Sequence, residues 1–340
     1  MCLQRASGKH RELIMHRIRH LALLFLSVLL LSGAVRGEDN ASSLQREVRI
    51  RMLWLPQAEF AGFYMAQELG FFEKEGLRVR IDHPKSVGGD SLDSLENGEA
   101  DFAVTWLSPA LQRTAGNGKF VNIMQIHQSC ALVLIGWKAD GILKPSDLSG
   151  KRIGLWFPPF LRNPFLCYFR KEQIHDVELQ RVLTPVDLLL FRCTKAIGGV
   201  EYDECCKLYL SGVDRDELSI FRLSDAMPDL VDEGLYCLEK TWKESPELCR
   251  KVRRAVMAGW RAAFADKDRA LRIVKQRCDD SGVFFQKYYQ KKMLDVMERL
   301  FRAETNDGQL RRASFDQGVE VSGIPPGSVR YETFAPEVLK

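Results

Sequence analysis

Residues 130–156 read CALVLIGW-KADGILKPSDLSG-KRIGLW, and the architecture of the chain turns on them. Cys130–Trp137 is apolar without alternation, the pattern of a strand buried on both faces. Lys144-Pro145-Ser146-Asp147-Leu148-Ser149-Gly150 is a polar connection of turn-forming residues, and Lys151–Trp156 begins a new strand. A β-α rhythm therefore stops and restarts near residue 150.

The rhythm on either side supports this reading. Upstream, Val48–Trp54 alternates as a strand, Phe60–Leu69 is a helix ended by Gly70, and Leu77–Ile81 alternates again. Gly88-Gly89-Asp90 leads into a helix at Ser91–Asn97, followed by a strand at Asp101–Thr105, a helix at Leu107–Ala115 and a strand at Phe120–Ile126. Downstream, Val182–Leu190, Leu218–Leu223 and Gly234–Glu239 read as strands, and Pro246–Ala265, Lys267–Cys278 and Phe284–Phe301 as amphipathic helices. Alternating β and α with short connections means open, parallel α/β sheets. About 300 residues are too many for one such sheet and fit two lobes. The expectation is two doubly wound α/β lobes with a ligand cleft between them: residues 48–139 and 235–340, with a helical C-terminal tail, as the first, and 140–234 as the second.

The formal net charge of +4 is unevenly placed. Arg5, Lys9, Arg11, Arg17, Arg19 and Arg36 against Glu12 put +5 in the first 37 residues and leave the remainder at −1. The body thus gives no electrostatic reason to bind nucleic acid. Leu21–Leu31, LALLFLSVLLL, follows His16, Arg17, Arg19 and His20 and leads to Ser32-Gly33-Ala34. A charged start, a short apolar run and small residues are the marks of an export signal, and a membrane span needs about 20 apolar residues. Residues 1–37 are expected to be a cleaved signal, with Met1 or Met15 as the start, and 38–47 a flexible lead-in; the protein is then periplasmic or otherwise exported. Eight cysteines follow the signal, an even number in a compartment that permits disulfides, with no CxxC pair and no histidine at metal-ligand spacing. No metal and no cofactor is expected.

No GxSxG, HExxH, Walker A or GxGxxG pattern occurs, which favours a binder over an enzyme. Aromatics gather at the ends of expected strands: Trp54, Trp106 and Trp156 with Phe157. Ligands of open α/β sheets bind beyond the carboxyl ends of strands, so these rings are candidate stacking walls for a planar ligand. Glu201-Tyr202-Asp203-Glu204 opens a helix after Gly198-Gly199-Val200. Acids in a first helical turn satisfy the helix dipole; alternatively, Tyr202 and Glu204 face the cleft, where a carboxylate pairs with an exocyclic amine and a ring nitrogen. Asp225 is a second candidate of that kind.

These residues carry a resemblance. Trp54-Leu55-Pro56-Gln57-Ala58-Glu59-Phe60-Ala61-Gly62-Phe63-Tyr64 and Gly70–Leu77 resemble the opening of the sulfonate/nitrate/taurine-type periplasmic solute-binding proteins. Asn97–Phe102, Leu148–Gly154 and Asp232–Tyr236 continue it in order, over roughly residues 48–300. Gln57-x-x-Phe60-Ala61-Gly62-Phe63-Tyr64 and Tyr202-x-Glu204 resemble the branch that binds thiamine pyrimidine precursors. The resemblance implies a type II two-lobe fold closing on a formylaminopyrimidine or hydroxymethylpyrimidine, a membrane ABC permease as partner, and a monomer. Trp54 then stacks, Tyr202 stacks or hydrogen-bonds, Glu204 pairs with the amidine edge, and Phe60 joins the ligand-contacting set. The same fold includes thiamine-pyrimidine synthases, but Thr105 and Pro109 stand where those enzymes have a lysine and a histidine, and Cys237 alone stands where a cysteine cluster is expected. Leu53, Lys195 and the apolar stretch 157–168 depart from the binding branch, which leaves a sulfonate-, nitrate- or taurine-type solute, or a sensor partner acting in trans, as other outcomes.

Overall fold

A computed structural model describes residues 47–85, 90–156 and 159–337, without the side chains of Pro159 and Phe160. The expected signal, nearly all of the lead-in, Gly88-Gly89 and Phe157 lie outside the described residues. Among the described residues no helix is long and apolar enough to cross a membrane.

Among the described residues ten strands form two five-stranded sheets. They are β1 (Val48–Arg51), β2 (Val79–Asp82), β3 (Phe102–Trp106), β4 (Phe120–Gln125), β5 (Leu132–Trp137), β6 (Arg152–Trp156), β7 (Glu178–Val182), β8 (Ala196–Val200), β9 (Leu218–Arg222) and β10 (Glu233–Leu238). The first sheet has the order β2-β1-β3-β10-β4 and the second β7-β6-β8-β5-β9. Neither is wholly parallel. β10 runs antiparallel to β3 and β4, and β5 antiparallel to β8 and β9. Each is the strand by which the chain enters a sheet from the other lobe, so it arrives in the opposite sense. Each lies between two neighbours and is buried almost throughout, which accounts for the unbroken apolar reading of Leu132–Trp137.

Two expectations shift. β5 belongs to the second sheet, so the chain leaves the first lobe between Gln125 and Leu132 and not near residue 139. Val182–Leu190 is not one strand: β7 ends at Val182 and a helix covers Val186–Leu190. Pro185 divides them, because its missing N–H cannot join a ladder yet suits a helix start. The apolar stretch after β6 folds as the helix Pro159–Lys171.

The main hydrophobic core runs through both lobes, and in the first lobe the helix Ala61–Glu68 meets the long helix Pro246–Ala265 within it. Glycines set their separation. A Cβ on Gly259 would lie 2.0 Å from the Gly62 carbonyl oxygen, and one on Gly62 would lie 2.2 Å from the Trp260 ring. The obstacle at Gly259 is backbone, which cannot swing aside. Gly259→Ala should therefore destabilise the fold by about 1–3 kcal/mol, the usual cost of overpacking, despite alanine's better helix propensity. Urea unfolding would show it; a variant as stable as the parent would mean that the helices are not packed this closely.

Candidate functional site

The C-terminal ends of the strands in the two sheets converge on a cleft of about 180 Å³. Trp54, Glu59, Thr105, Trp106 and Pro109 line it from the first lobe, and Trp156, Leu161, Tyr202, Asp203, Glu204 and Lys207 from the second. Five of the seven expected site residues are thus brought together. Trp106, at the end of β3, and Trp156, at the end of β6, meet with ring centroids 5.9 Å apart at 54°. Phe165 backs Trp156 edge-on at 6.0 Å.

Phe60 and Asp225 are not among the lining residues. Phe60 closes a 3₁₀ turn, Ala58–Phe60, that sends its ring into the core against His83. Asp225 lies exposed on the short helix Leu223–Ala226. That helix follows β9, the edge strand at the opposite end of the sheet from β7, whose end does line the cleft.

Tyr202 and Glu204 sit on a π-helical turn, Glu201–Cys205, directly after β8. The wide turn splits its residues between two surroundings. Tyr202 and Glu204 are buried, whereas Glu201 faces outward and pairs with Arg222 at 3.1 Å and with Arg299 at 2.7 Å. Glu204 folds back over its own strand, and its Oε2 accepts the Val200 amide at 2.7 Å. This is possible because residue 199 is glycine: a Cβ there would lie 2.6 Å from Glu204 Cγ. Burial, with Asp203 second, pushes the Glu204 carboxyl up to about 8. It is therefore mostly protonated at neutral pH and offers one O–H donor beside acceptor oxygen.

Sequence reasoning missed two residues. Glu59 is 2% exposed, and its Oε1 accepts the Tyr202 hydroxyl at 2.9 Å, a bond from one lobe to the other. Gln57 donates to its Oε2. The available signal was a carboxylate inside the otherwise uncharged block Trp54–Tyr64. His83 holds Trp54 in place: its Nδ1 lies 2.7 Å from the Trp54 carbonyl and its Nε2 3.0 Å from the Tyr64 hydroxyl. Burial lowers His83 to about 4, so the ring is neutral. Nδ1 must donate to the carbonyl, and Nε2 accepts from Tyr64.

The cleft's charge balance is acidic. Among the described residues Lys207 is the one cation lining it, and it is bound to Asp203 at 2.8 Å. Asp90, also in the lining, is held by Arg113 at 2.9 Å. Among the described residues no group of three or more His, Cys, Asp or Glu has a metal-holding arrangement, and the eight cysteines are free. Cys237 and Cys249 approach to 3.9 Å between sulfurs, in the core under the first sheet.

The buried acids set a pH dependence. Glu204, at about 8, and Asp232, raised by burial to about 7, bind protons more tightly folded than unfolded. Their contribution is complete below the ordinary carboxyl range of about 4 and is lost as pH rises through 7–8. His83 and His127, the latter lowered to about 3 by burial, act oppositely, their contribution being lost as pH falls below about 6.5. Between pH 6.5 and 8 only the carboxyl effect remains, so the thermal midpoint should fall across that window, and Glu204→Gln should reduce the slope. A midpoint that rises there would contradict these burial assignments.

Comparison with known proteins agrees with the architecture. The NMT1/THI5-like family model matches residues 57–270. The chain is 22% identical over 252 residues to a riboflavin-binding protein of Chloroflexus aurantiacus, covering 70% of this chain and 68% of that one. It is 21% identical over 281 residues to a formylaminopyrimidine-binding protein of Halalkalibacterium halodurans, covering 81% and 83%. A 4-amino-5-hydroxymethyl-2-methylpyrimidine phosphate synthase of Uromyces fabae is 26% identical over 241 residues, covering 65% and 67%. Among solved structures, the aliphatic sulphonate-binding protein of Escherichia coli superposes with a TM-score of 0.67 at 12% identity, over 85% of this chain and 91% of that one. The fold is that of the periplasmic binding proteins.

Proposed function

Because the chain belongs to the NMT1/THI5-like family, we propose that it is an exported solute-binding protein whose cleft takes a small planar aminopyrimidine, of the formylaminopyrimidine or hydroxymethylpyrimidine kind, for delivery to a membrane ABC permease. The formylaminopyrimidine-binding relative supports the ligand class, and the signal-like residues 1–37 support export.

The charge of the cleft carries the choice. A sulfonate or nitrate ion needs a free cation or a set of donors, and among the described residues the one lining lysine is already paired with Asp203, while the lining acid Glu59 has no cation beside it to offset an anion. An aminopyrimidine needs the reverse. Its N=C–NH₂ edge presents one acceptor and one donor, which match a protonated carboxyl such as Glu204 in a cyclic two-bond pair. The tryptophans supply faces for the ring. A cavity of about 150 Å³ holds one benzene ring, so 180 Å³ suits one ring with small substituents better than a tricyclic flavin.

The synthase reading is weaker on chemistry. Thr105 and Pro109 both line the cleft, at the positions where the resemblance puts a lysine and a histidine. Neither side chain forms a Schiff base or gives up an imidazole nitrogen.

Calorimetric titration of the purified protein with 4-amino-5-hydroxymethyl-2-methylpyrimidine should show saturable one-site binding. Trp54→Ala should weaken it about tenfold or more, since stacking on an aromatic side chain contributes ~1–3 kcal/mol. Saturation by an alkanesulfonate with no response to the pyrimidine would overturn the assignment.

A further inference from the structure

The acids of the cleft are not equivalent, and the difference concerns what the ligand carries besides its ring. Asp90 is paired with Arg113, and Asp203 with Lys207. Glu204 is satisfied by a backbone amide and is mostly neutral. Glu59 accepts from the Tyr202 hydroxyl and the Gln57 amide, and the buried Glu233 carboxyl lies against it. Among the described residues it forms no ion pair, although it is 2% exposed and lines the cavity.

The surroundings behind Glu59 do not neutralise it either. Glu233, fully buried at the start of β10, lies beside it; burial first, and the Glu59 carboxylate second, push the Glu233 carboxyl well above the usual range. His127 Nε2 is 3.8 Å from Glu233 Oε2, and burial, followed by Arg299, keeps that imidazole neutral. Two buried acids side by side, with no Lys or Arg paired to either among the described residues, are electrostatically incomplete. Glu59 Oε1 accepts from Tyr202 and its Oε2 from Gln57, and a carboxyl oxygen can accept more than one hydrogen bond.

Resting on the aminopyrimidine reading above, we propose that Glu59 is a specificity-determining residue that recognises a cationic arm on the ligand, so that the cleft selects an aminopyrimidine bearing an aminomethyl group over one bearing a neutral or acidic substituent. Glu204 reads the ring's amidine edge from the second lobe, and Glu59 takes the ammonium from the first. The two lobes thus hold different parts of one molecule. The Tyr202 hydroxyl, bound to Glu59 across the cleft, orients the carboxylate and ties arm recognition to closure.

The test uses 4-amino-2-methylpyrimidines that differ only at ring carbon 5: methyl, hydroxymethyl, aminomethyl and carboxymethyl. Calorimetric titration of the wild-type protein at pH 7 should rank aminomethyl at least tenfold tighter than methyl, with hydroxymethyl between them and carboxymethyl at least tenfold weaker than methyl, as expected for a charge-assisted hydrogen bond gained or a like charge opposed. In Glu59→Gln the aminomethyl-to-methyl ratio should fall to threefold or less, whatever happens to absolute affinity. The wild-type ranking stands without the variant, so a Glu59→Gln protein that fails to fold leaves the test intact. Equal affinity for methyl and aminomethyl, or a preference that survives in a folded Glu59→Gln protein, would overturn the role of Glu59 while leaving the aminopyrimidine site standing. Binding of none of the four would overturn the ligand class itself, and this inference with it.

Discussion

Two stretches of chain pass between the sheets, and the Asp232 carboxyl joins them. Its Oδ2 accepts the Ala131 amide at 2.5 Å, linking the segment that enters the second lobe to the one that returns. One residue on, the Glu233 carbonyl accepts the amides of Ile126 and His127 at 3.0 and 3.1 Å and the Gln125 side chain at 2.7 Å. Buried backbone groups that leave one sheet before entering another have no ladder partners, and these bonds supply them. Everything else about the site depends on this double crossing. It makes β5 and β10 antiparallel and keeps the lobes adjacent. It also brings the ends of β3, β6 and β8 to one cleft.

At that cleft, function follows from how buried polar groups are held. Glu204 is kept in place by one amide bond and by the space that Gly199 leaves; a larger residue at 199 would expel it. A carboxyl buried on such terms keeps its proton near neutrality, which converts an acid into a group that both donates and accepts. Trp54 is fixed by a neutral histidine that spends one nitrogen on its carbonyl and the other on Tyr64. The ring faces and the paired edge are therefore set before any ligand arrives, so less ordering entropy is lost on binding. Contacts at the far side of the interface, such as Glu201 with Arg299 and Asn163 with the Ser322 carbonyl at 3.2 Å, bridge the same two lobes.

Much of this was legible in the sequence, for identifiable reasons. Period-two alternation at Val48–Trp54 and unbroken apolarity at Cys130–Trp137 register sheet position directly, and the rule that ligands bind at strand ends picked out Trp54, Trp106, Trp156, Tyr202 and Glu204 as a group. What was not legible depends on pairing partners. That β5 joins the second sheet is a fact about β8 and β9, not about Leu132–Trp137. Asp225 looked equivalent to Glu204 because both follow strands, and only the strand order shows that one strand is central and the other an edge. Glu59 was hidden by its neighbours: in a 3₁₀ turn of three residues no periodicity distinguishes the side chain facing the cleft from Phe60 facing the core. His83 acts through a carbonyl 29 residues away, which no local pattern records.

The central claim is that an acidic, aromatic-walled cleft between two lobes closes on an uncharged or cationic heteroaromatic ring. Native mass spectrometry of the protein, purified from its host cells without denaturation, tests it most directly, because a ligand trapped by closure travels with the protein. The account predicts a bound mass that, once released, shows the ultraviolet absorbance of an aminopyrimidine and carries no acidic group. A released sulfonate or other strong anion, held at one equivalent, would contradict it.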